Sequence, residues 1–279
     1  MEQYNNKLIY HYTSSSGLLG ILSSESLWFT DFSVLNDESE GNYIYSLVKD
    51  VLYSGEYSKE YISLVIQEIN NFYSKYKYFI CSFSLNGDSL PMWNYYSKSS
   101  SKLGYNIQIN AFDLFTSMNK IIYENDYLSL NYYDLIYDTN IQREIIKTVL
   151  DRYYNSFLKN SKIEYIKELL HLEIRLFRFI FKHPSFSHEE ECRFILKVNE
   201  DYFDKHIGEN DSLFKIRVVD DGIFAPYTSM KFDCKNLITQ ITISPIIKDS
   251  LKESSLLNLC KKHNLTKCII KKSNIPLRY

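Results

Sequence analysis

The stretch Leu8-Ile9-Tyr10-His11-Tyr12-Thr13-Ser14 limits the fold of this chain more than any other, because it reads as a buried strand whose end delivers a histidine, a tyrosine and a threonine. Ser14, Ser15 and Ser16 are good N-cap residues, and Leu18, Leu19, Ile21 and Leu22 then recur on one helical face. Leu27-Trp28-Phe29-Thr30-Asp31 is aromatic and β-favouring, and Asn36-Asp37-Glu38-Ser39-Glu40-Gly41 is a polar, acidic loop. The chain therefore opens as strand, helix, strand, acidic loop. A lone histidine on a strand is more often a hydrogen-bonded structural residue than a catalyst, so His11 gains meaning only from partners further along.

Composition narrows the class. A chain of 279 residues buries most of what it exposes when unfolded. Its few glycines (8) and prolines (5) argue against disorder and long linkers. The 25 Tyr and 17 Phe are many, which an AT-rich genome explains as well as an aromatic-binding role does. A net charge of −2 leaves no global footprint for nucleic acid, although a local patch stays open. No apolar run reaches the roughly 18 residues needed to cross a bilayer, and the N-terminus lacks a signal peptide's apolar segment. The expectation is a cytoplasmic protein with no membrane partner. Five cysteines without a CxxC pair argue against structural zinc and a disulfide framework, and no metal ligand set is expected.

Periodicity supplies the other elements. Residues 42–54 and 58–75 read as helices, 78–84 as a strand, Asn86-Gly87-Asp88 as a turn, 90–96 as a short helix and 104–109 as a strand. Residues 141–158 and 161–181 are helical, the second apolar around much of its circumference and expected to lie deep. Strands follow at 191–198, 213–218, 238–243 and 268–271, with a helix at 250–263. The expected fold class is α+β: one domain over 1–279, a mostly antiparallel sheet with helices packed around it, and a helical insertion at about 141–182.

Chemistry concentrates in Glu189-Glu190-Glu191-Cys192-Arg193. Strand alternation would point Glu189, Glu191 and Arg193 one way and Glu190 and Cys192 the other. Close carboxylates shift one another's pKa and suit the stabilisation of positive charge. The bland alternative is an exposed edge with a Glu191–Arg193 ion pair on its polar face.

The chain resembles the bacterial proteins that carry the domain of unknown function 2971. The matching pieces are Tyr10-His11-Tyr12-Thr13-Ser14, Leu35-Asn36-Asp37-Glu38-Ser39-Glu40, Ser82-Phe83-Ser84, Met92-Trp93-Asn94-Tyr95-Tyr96, Phe186-Ser187-His188-Glu189-Glu190-Glu191-Cys192-Arg193 and Ser273-Asn274-Ile275-Pro276. Phe186 stands where the family pattern has a tryptophan, and Ile243-Ser244-Pro245 where it has a glycine before the proline.

A second, more distant resemblance carries function. The histidine strand and its helix, the Ser-x-Ser strand end and the late Glu-x-Glu look like the ADP-ribosyltransferase superfamily, whose split β-sheet binds NAD. That resemblance implies Glu191 as catalytic glutamate, Glu189 as the carboxylate that positions the acceptor, and His11 as the ribose contact. Thr13 and Ser84 would line the NAD site, with Tyr12, Trp93 and Tyr95 as candidates to stack on nicotinamide. It implies NAD as substrate, an acceptor that is protein, nucleic acid or small molecule, and a toxin or phage-defence setting with a partner protein of a defence or toxin–antitoxin system. Two other classes stand beside it. One is a non-catalytic sensor or binding module. The other is a metal-dependent nuclease using Asp37, Glu40, Glu189 and Glu191.

Overall fold

Alternation of apolar and polar residues builds the strands, and serine, asparagine and aspartate caps start the helices between them. A computed structural model describes residues 6–35, 38–70, 74–96, 104–159, 162–208, 213–218, 222–245 and 250–276, the side chains of 35, 38–42 and 250–252 excepted. Leu8–Ser14 (β1) ends in the N-cap of Ser15–Ser24 (α1), where the Ser14 hydroxyl accepts from Gly17 N at 3.1 Å. Ser26–Asp31 (β2) and Phe32–Leu35 (α2) lead into Glu38–Ser54 (α3) and Lys59–Ile69 (α4). Tyr76–Ser84 (β3), Leu90–Tyr96 (α5) and Gly104–Asn110 (β4) follow, and Asn110 caps Ala111–Ile122 (α6) directly. Then come Leu128–Asp134 (β5), Thr139–Leu158 (α7) and Ile163–Ile180 (α8). A 3-10 turn, Pro184–Glu189, enters Glu191–Asn199 (β6), followed by Glu200–His206 (α9), Phe214–Val218 (β7) and Phe224–Lys231 (β8). The last elements are Cys234–Leu237 (α10), Gln240–Ile243 (β9), Ser250–Lys262 (α11) and Ile269–Lys272 (β10).

The chain divides into two compact units: Met1–Val34, Tyr76–Tyr133 and His188–Tyr279 form one, Leu35–Lys75 and Asp134–Ser187 the other. The first holds an open, mostly antiparallel sheet in the order β10-β9-β4-β1-β3-β2-β8-β7, with β6 paired to β3 and β5. Only β10 and β9 run parallel among the registered pairs. One face is apolar: Ile9, Phe29, Phe79, Cys81, Phe83, Ile107, Cys192, Phe194 and Ile241 meet Leu18 and Leu22 of α1, Leu114 and Met118 of α6, Phe203 of α9 and Leu256 of α11. Alternation sends the other half of each strand to the opposite face, where the polar side chains gather.

β3 organises this sheet. β6 covers one edge along its whole length, from Tyr76↔Asn199 to Ser84↔Glu191. The other edge is divided: β2 pairs at Thr30↔Ile80 and Asp31↔Phe79, and β1 at Tyr10↔Ser84. Both strands continued in register would need the same edge of Cys81–Phe83. They part instead, β1 staying with β4 and β2 with β8.

The second unit is helical. α3, α4, α7 and α8 enclose Val48, Leu52, Tyr61, Val65, Ile146, Leu150, Leu170 and Ile174, and the Tyr61 hydroxyl donates to Leu150 O at 2.8 Å. The expectation that α8, apolar around much of its circumference, lies deep is corrected here. Ile166, Leu170, Ile174 and Phe177 form one buried stripe, while Tyr165 and Leu172 face solvent.

Candidate functional site

The polar face of the first unit is centred on the last turns of β3 and the first residues of β6. Paired residues share a face, so Tyr10, Ser84 and Glu191 form one row and Ser82 with Arg193 the next. Glu191 and Arg193 are buried, 7% and 4% exposed. Arg193 Nε donates to Glu191 Oε1 at 2.6 Å and Nη2 to Oε2 at 3.0 Å, a two-pronged charge-assisted pair. The Ser82 hydroxyl donates to the same Oε1 at 2.6 Å. The ion pair foreseen for an exposed edge thus forms, but inside the sheet, because β6 lies between β3 and β5. Removal of either charge would strand the other in a poorly hydrated place, at a cost of about 3–5 kcal/mol.

His11 stands on the other side. It pairs with Ile107 and alternates with Ile9, so it shares the face of Phe83, whose ring centroid is 5.3 Å from its own. Its Nδ1 meets Ser82 O at 3.1 Å. A carbonyl only accepts, so Nδ1 carries the proton and the bond supplies Ser82 with the partner that neither β1 nor β2 provides where the edge divides. Burial holds the His11 pKa below its ordinary value against the smaller, opposite effect of that bond, which keeps the ring neutral. His11 and Glu191 are therefore linked through one residue: Ser82 accepts from the first with its carbonyl and donates to the second with its hydroxyl. Thr13 shares the face of His11 and packs against Gly17, where an added Cβ would come 2.0 Å from Thr13 Oγ1.

Three aromatic candidates differ sharply. The Tyr12 hydroxyl donates to Asn86 O at 2.8 Å and accepts from Ser89 N at 3.0 Å, and burial pushes its pKa up to about 12. Trp93 is buried edge-on against Tyr12, centroids 4.7 Å apart, and its Nε1 donates to Asp88 Oδ1 at 2.8 Å. Both rings are structural. Tyr95 keeps an exposed ring and meets His188 Nε2 through its hydroxyl at 3.1 Å. Asp88, which sequence reasoning placed in a plain turn, also accepts from Ser273 Oγ at 2.6 Å and Asn274 N at 2.8 Å, so it fastens the C-terminal tail beneath α5. Asn106, paired with Tyr12, is fully buried; its Nδ2 donates to Gly87 O at 3.0 Å while its Oδ1 has no hydrogen-bond partner among the described residues.

The glutamate run departs from simple alternation. Glu189 ends the 3-10 turn and Glu190 adopts a left-handed φ of 44°, so period-two reasoning starts only at Glu191 and does not place Glu189 beside it. Glu190 O accepts from Leu85 N at 2.7 Å, and its carboxylate accepts from Asn86 Nδ2 at 2.9 Å. Ser84 is fully buried; its hydroxyl donates to Glu189 O at 2.7 Å and accepts from Asn86 N at 3.1 Å. Ser82, not Ser84, is the serine on Glu191. Asp37 lies outside the described residues, as does the side chain of Glu40. Among the described residues no three His, Cys, Asp or Glu side chains gather so as to hold a metal ion, and no helix is long and apolar enough to cross a membrane.

Residues 92–194 match the model of a family described as protein of unknown function, DUF2971. That match supports the first resemblance drawn from the sequence. The matched stretch runs from α5 to the middle of β6, so it holds Trp93, Tyr95, Glu191 and Arg193, while His11, Ser82 and Asp88 lie before it. No curated protein and no solved structure matches the chain.

Proposed function

We propose that this chain is an NAD-consuming enzyme of the ADP-ribosyltransferase type, cleaving the bond between nicotinamide and ribose with Glu191 as its essential carboxylate. The observation that carries the reading is Glu191 itself: a buried carboxylate at a strand end, oriented by Ser82 and Arg193, beside the place where β1 and β2 part along β3. Breaking a glycosidic bond to ribose develops an oxocarbenium-like centre, and a fixed carboxylate in a water-poor site stabilises it without reorganising. Tyr95, exposed on α5, is the aromatic side chain of the three candidates with an open ring face for nicotinamide. His11 acts in this reading as a positioning residue through Ser82.

Glu191→Gln keeps the shape and removes the charge. Nicotinamide release should drop about a hundredfold while NAD affinity changes little. Release at the wild-type rate would sink the proposal. One observation favours a second reading, a binding module without catalysis: both oxygens of Glu191 already face Arg193. Calorimetric binding of NAD without turnover would decide for it.

A further inference from the structure

On the same face as Glu191, at the other side of the divided edge, stands an aromatic pair with a cation over one of its rings. Thr30 pairs with Ile80, which pairs with Ile195, so Thr30 and Trp28 share the face of Ser82, Arg193 and Glu191. Trp28 is 47% exposed, one of only two tryptophans in the chain, the other being the buried Trp93. Its ring is held rather than loose. Tyr227 of β8 lies with its centroid 4.8 Å away, and the Arg217 guanidinium of β7 lies 5.3 Å above the ring. Arg217 is itself aimed by a bond from Nη2 to Thr30 Oγ1 at 2.7 Å.

Two exposed lysines flank this platform. Lys231 pairs with Ser26, one row beyond Trp28↔Ser229, and Lys215 pairs with Tyr227 on the row of Thr30. Both share the platform's face and stand two rows apart along the strands, roughly 13 Å by strand rise. The chain as a whole is slightly acidic, so a basic and aromatic strand face within it is a local feature. An exposed and a half-buried aromatic ring on neighbouring strands, with an arginine over one of them and lysines beside them, suit unpaired bases that stack and phosphates that follow the cations. A duplex would offer its phosphates but keep its base faces stacked away from Trp28.

We propose that the β2–β8–β7 face is a binding site for single-stranded nucleic acid, with a base on Trp28 and Tyr227 and neighbouring phosphates on Lys215 and Lys231. Arg217 fixes the Trp28 ring and adds to the positive field. Within the sheet β2 borders β3, so Trp28 stands one strand from Ser82 and two from Arg193, and β7 with Lys215 lies two strands beyond β2. Use of the strand as acceptor rests on the transferase reading above; the binding does not.

The test is a titration of the full chain with labelled oligothymidylate and oligouridylate, read by anisotropy and by quenching of tryptophan fluorescence, with a duplex of the same length as control. Binding should saturate, quench the exposed Trp28, and weaken as salt rises. Trp28→Ala should lose about tenfold or more, Trp28→Phe should retain most affinity without the quench, and Lys215→Glu with Lys231→Glu should flatten the salt dependence. The thymidylate and uridylate arms separate DNA from RNA. No binding at low salt, equal binding of the duplex, or undiminished binding by a folded Trp28→Ala variant would each overturn the site. Glu191→Gln should bind the oligonucleotide as wild type does. Binding without any NAD consumption would therefore reject the transferase reading and leave this site standing, and NAD consumption without binding would do the reverse.

Discussion

Ser82 donates its hydroxyl to Glu191 Oε1 at 2.6 Å and accepts from His11 Nδ1 through its carbonyl at 3.1 Å, so one residue joins the two strands that meet β3 from opposite edges. Ser82→Ala should take one hydrogen bond from Glu191 and leave its two-pronged pair with Arg193 in place. Loss of a hydrogen bond to a charged group costs about 1.5–3 kcal/mol, and the remaining two-pronged pair puts this case at the low end. Nicotinamide release should fall about tenfold, whereas Ser84→Ala should lower stability more than turnover, since Ser84 bonds only backbone groups. Thermal melts and release rates of the two variants, side by side, check this; a greater loss of turnover in Ser84→Ala would contradict it.

Burial of His11 makes stability depend on pH. The folded state holds its pKa below the ordinary value near 6.5, so the unfolded chain binds more protons as pH falls through 6.5 and toward the folded value. Stability should be flat above that window and decline on acidification within it. His11→Asn retains an N–H donor for Ser82 O but cannot titrate. Melting temperatures from neutral to mildly acidic pH should therefore fall less steeply for His11→Asn than for wild type, and parallel curves would show that His11 is not the group responsible.

The strands that meet at this site were legible because each alternates cleanly: Phe79, Cys81 and Phe83 against Ile80, Ser82 and Ser84, and Cys192, Phe194 and Leu196 against Glu191, Arg193 and Ile195. β8 escaped because Pro226 interrupts its pattern, a residue that normally speaks against a strand. α6 escaped because Asn110 is at once the last residue of β4 and the helix cap, which leaves no polar turn to mark the boundary. The sharing of a face by Glu191 and Arg193 followed from period two alone. That Ser82 rather than Ser84 reaches Glu191, and that His11 lies on the opposite face, depends on register between strands about a hundred residues apart, which no local pattern carries. The partners of Asp88 are further still, 185 and 186 residues along the chain.

Asp88 is the anchor of the C-terminal tail. Its carboxylate accepts from Trp93 Nε1, Ser273 Oγ and Asn274 N, and alanine would leave all three donors unpaired. Asp88→Ala should destabilise the first unit by about 2–4 kcal/mol. It should also free the segment after β10, so limited trypsin digestion should cut at Lys271 or Lys272 sooner than in wild type. Equal cleavage rates would mean that β9 alone holds this end.

The Glu191–Arg193 pair is where structure and chemistry can be told apart. Arg193→Met takes the guanidinium away from a buried carboxylate, and should cost about 3–5 kcal/mol. Glu191→Leu combined with Arg193→Met removes both charges and fills the space with apolar side chains, which should restore most of that loss, since a buried ion pair adds little over well-packed apolar residues of similar volume. If Glu191 serves only to hold β6 against β3, the double variant should behave as wild type in every assay of NAD binding and nicotinamide release. If Glu191 carries the chemistry, the double variant should be stable and inactive, with NAD affinity largely kept. Denaturant melts measure the first half and release rates the second; a stable double variant with wild-type turnover would remove Glu191 from the reaction altogether.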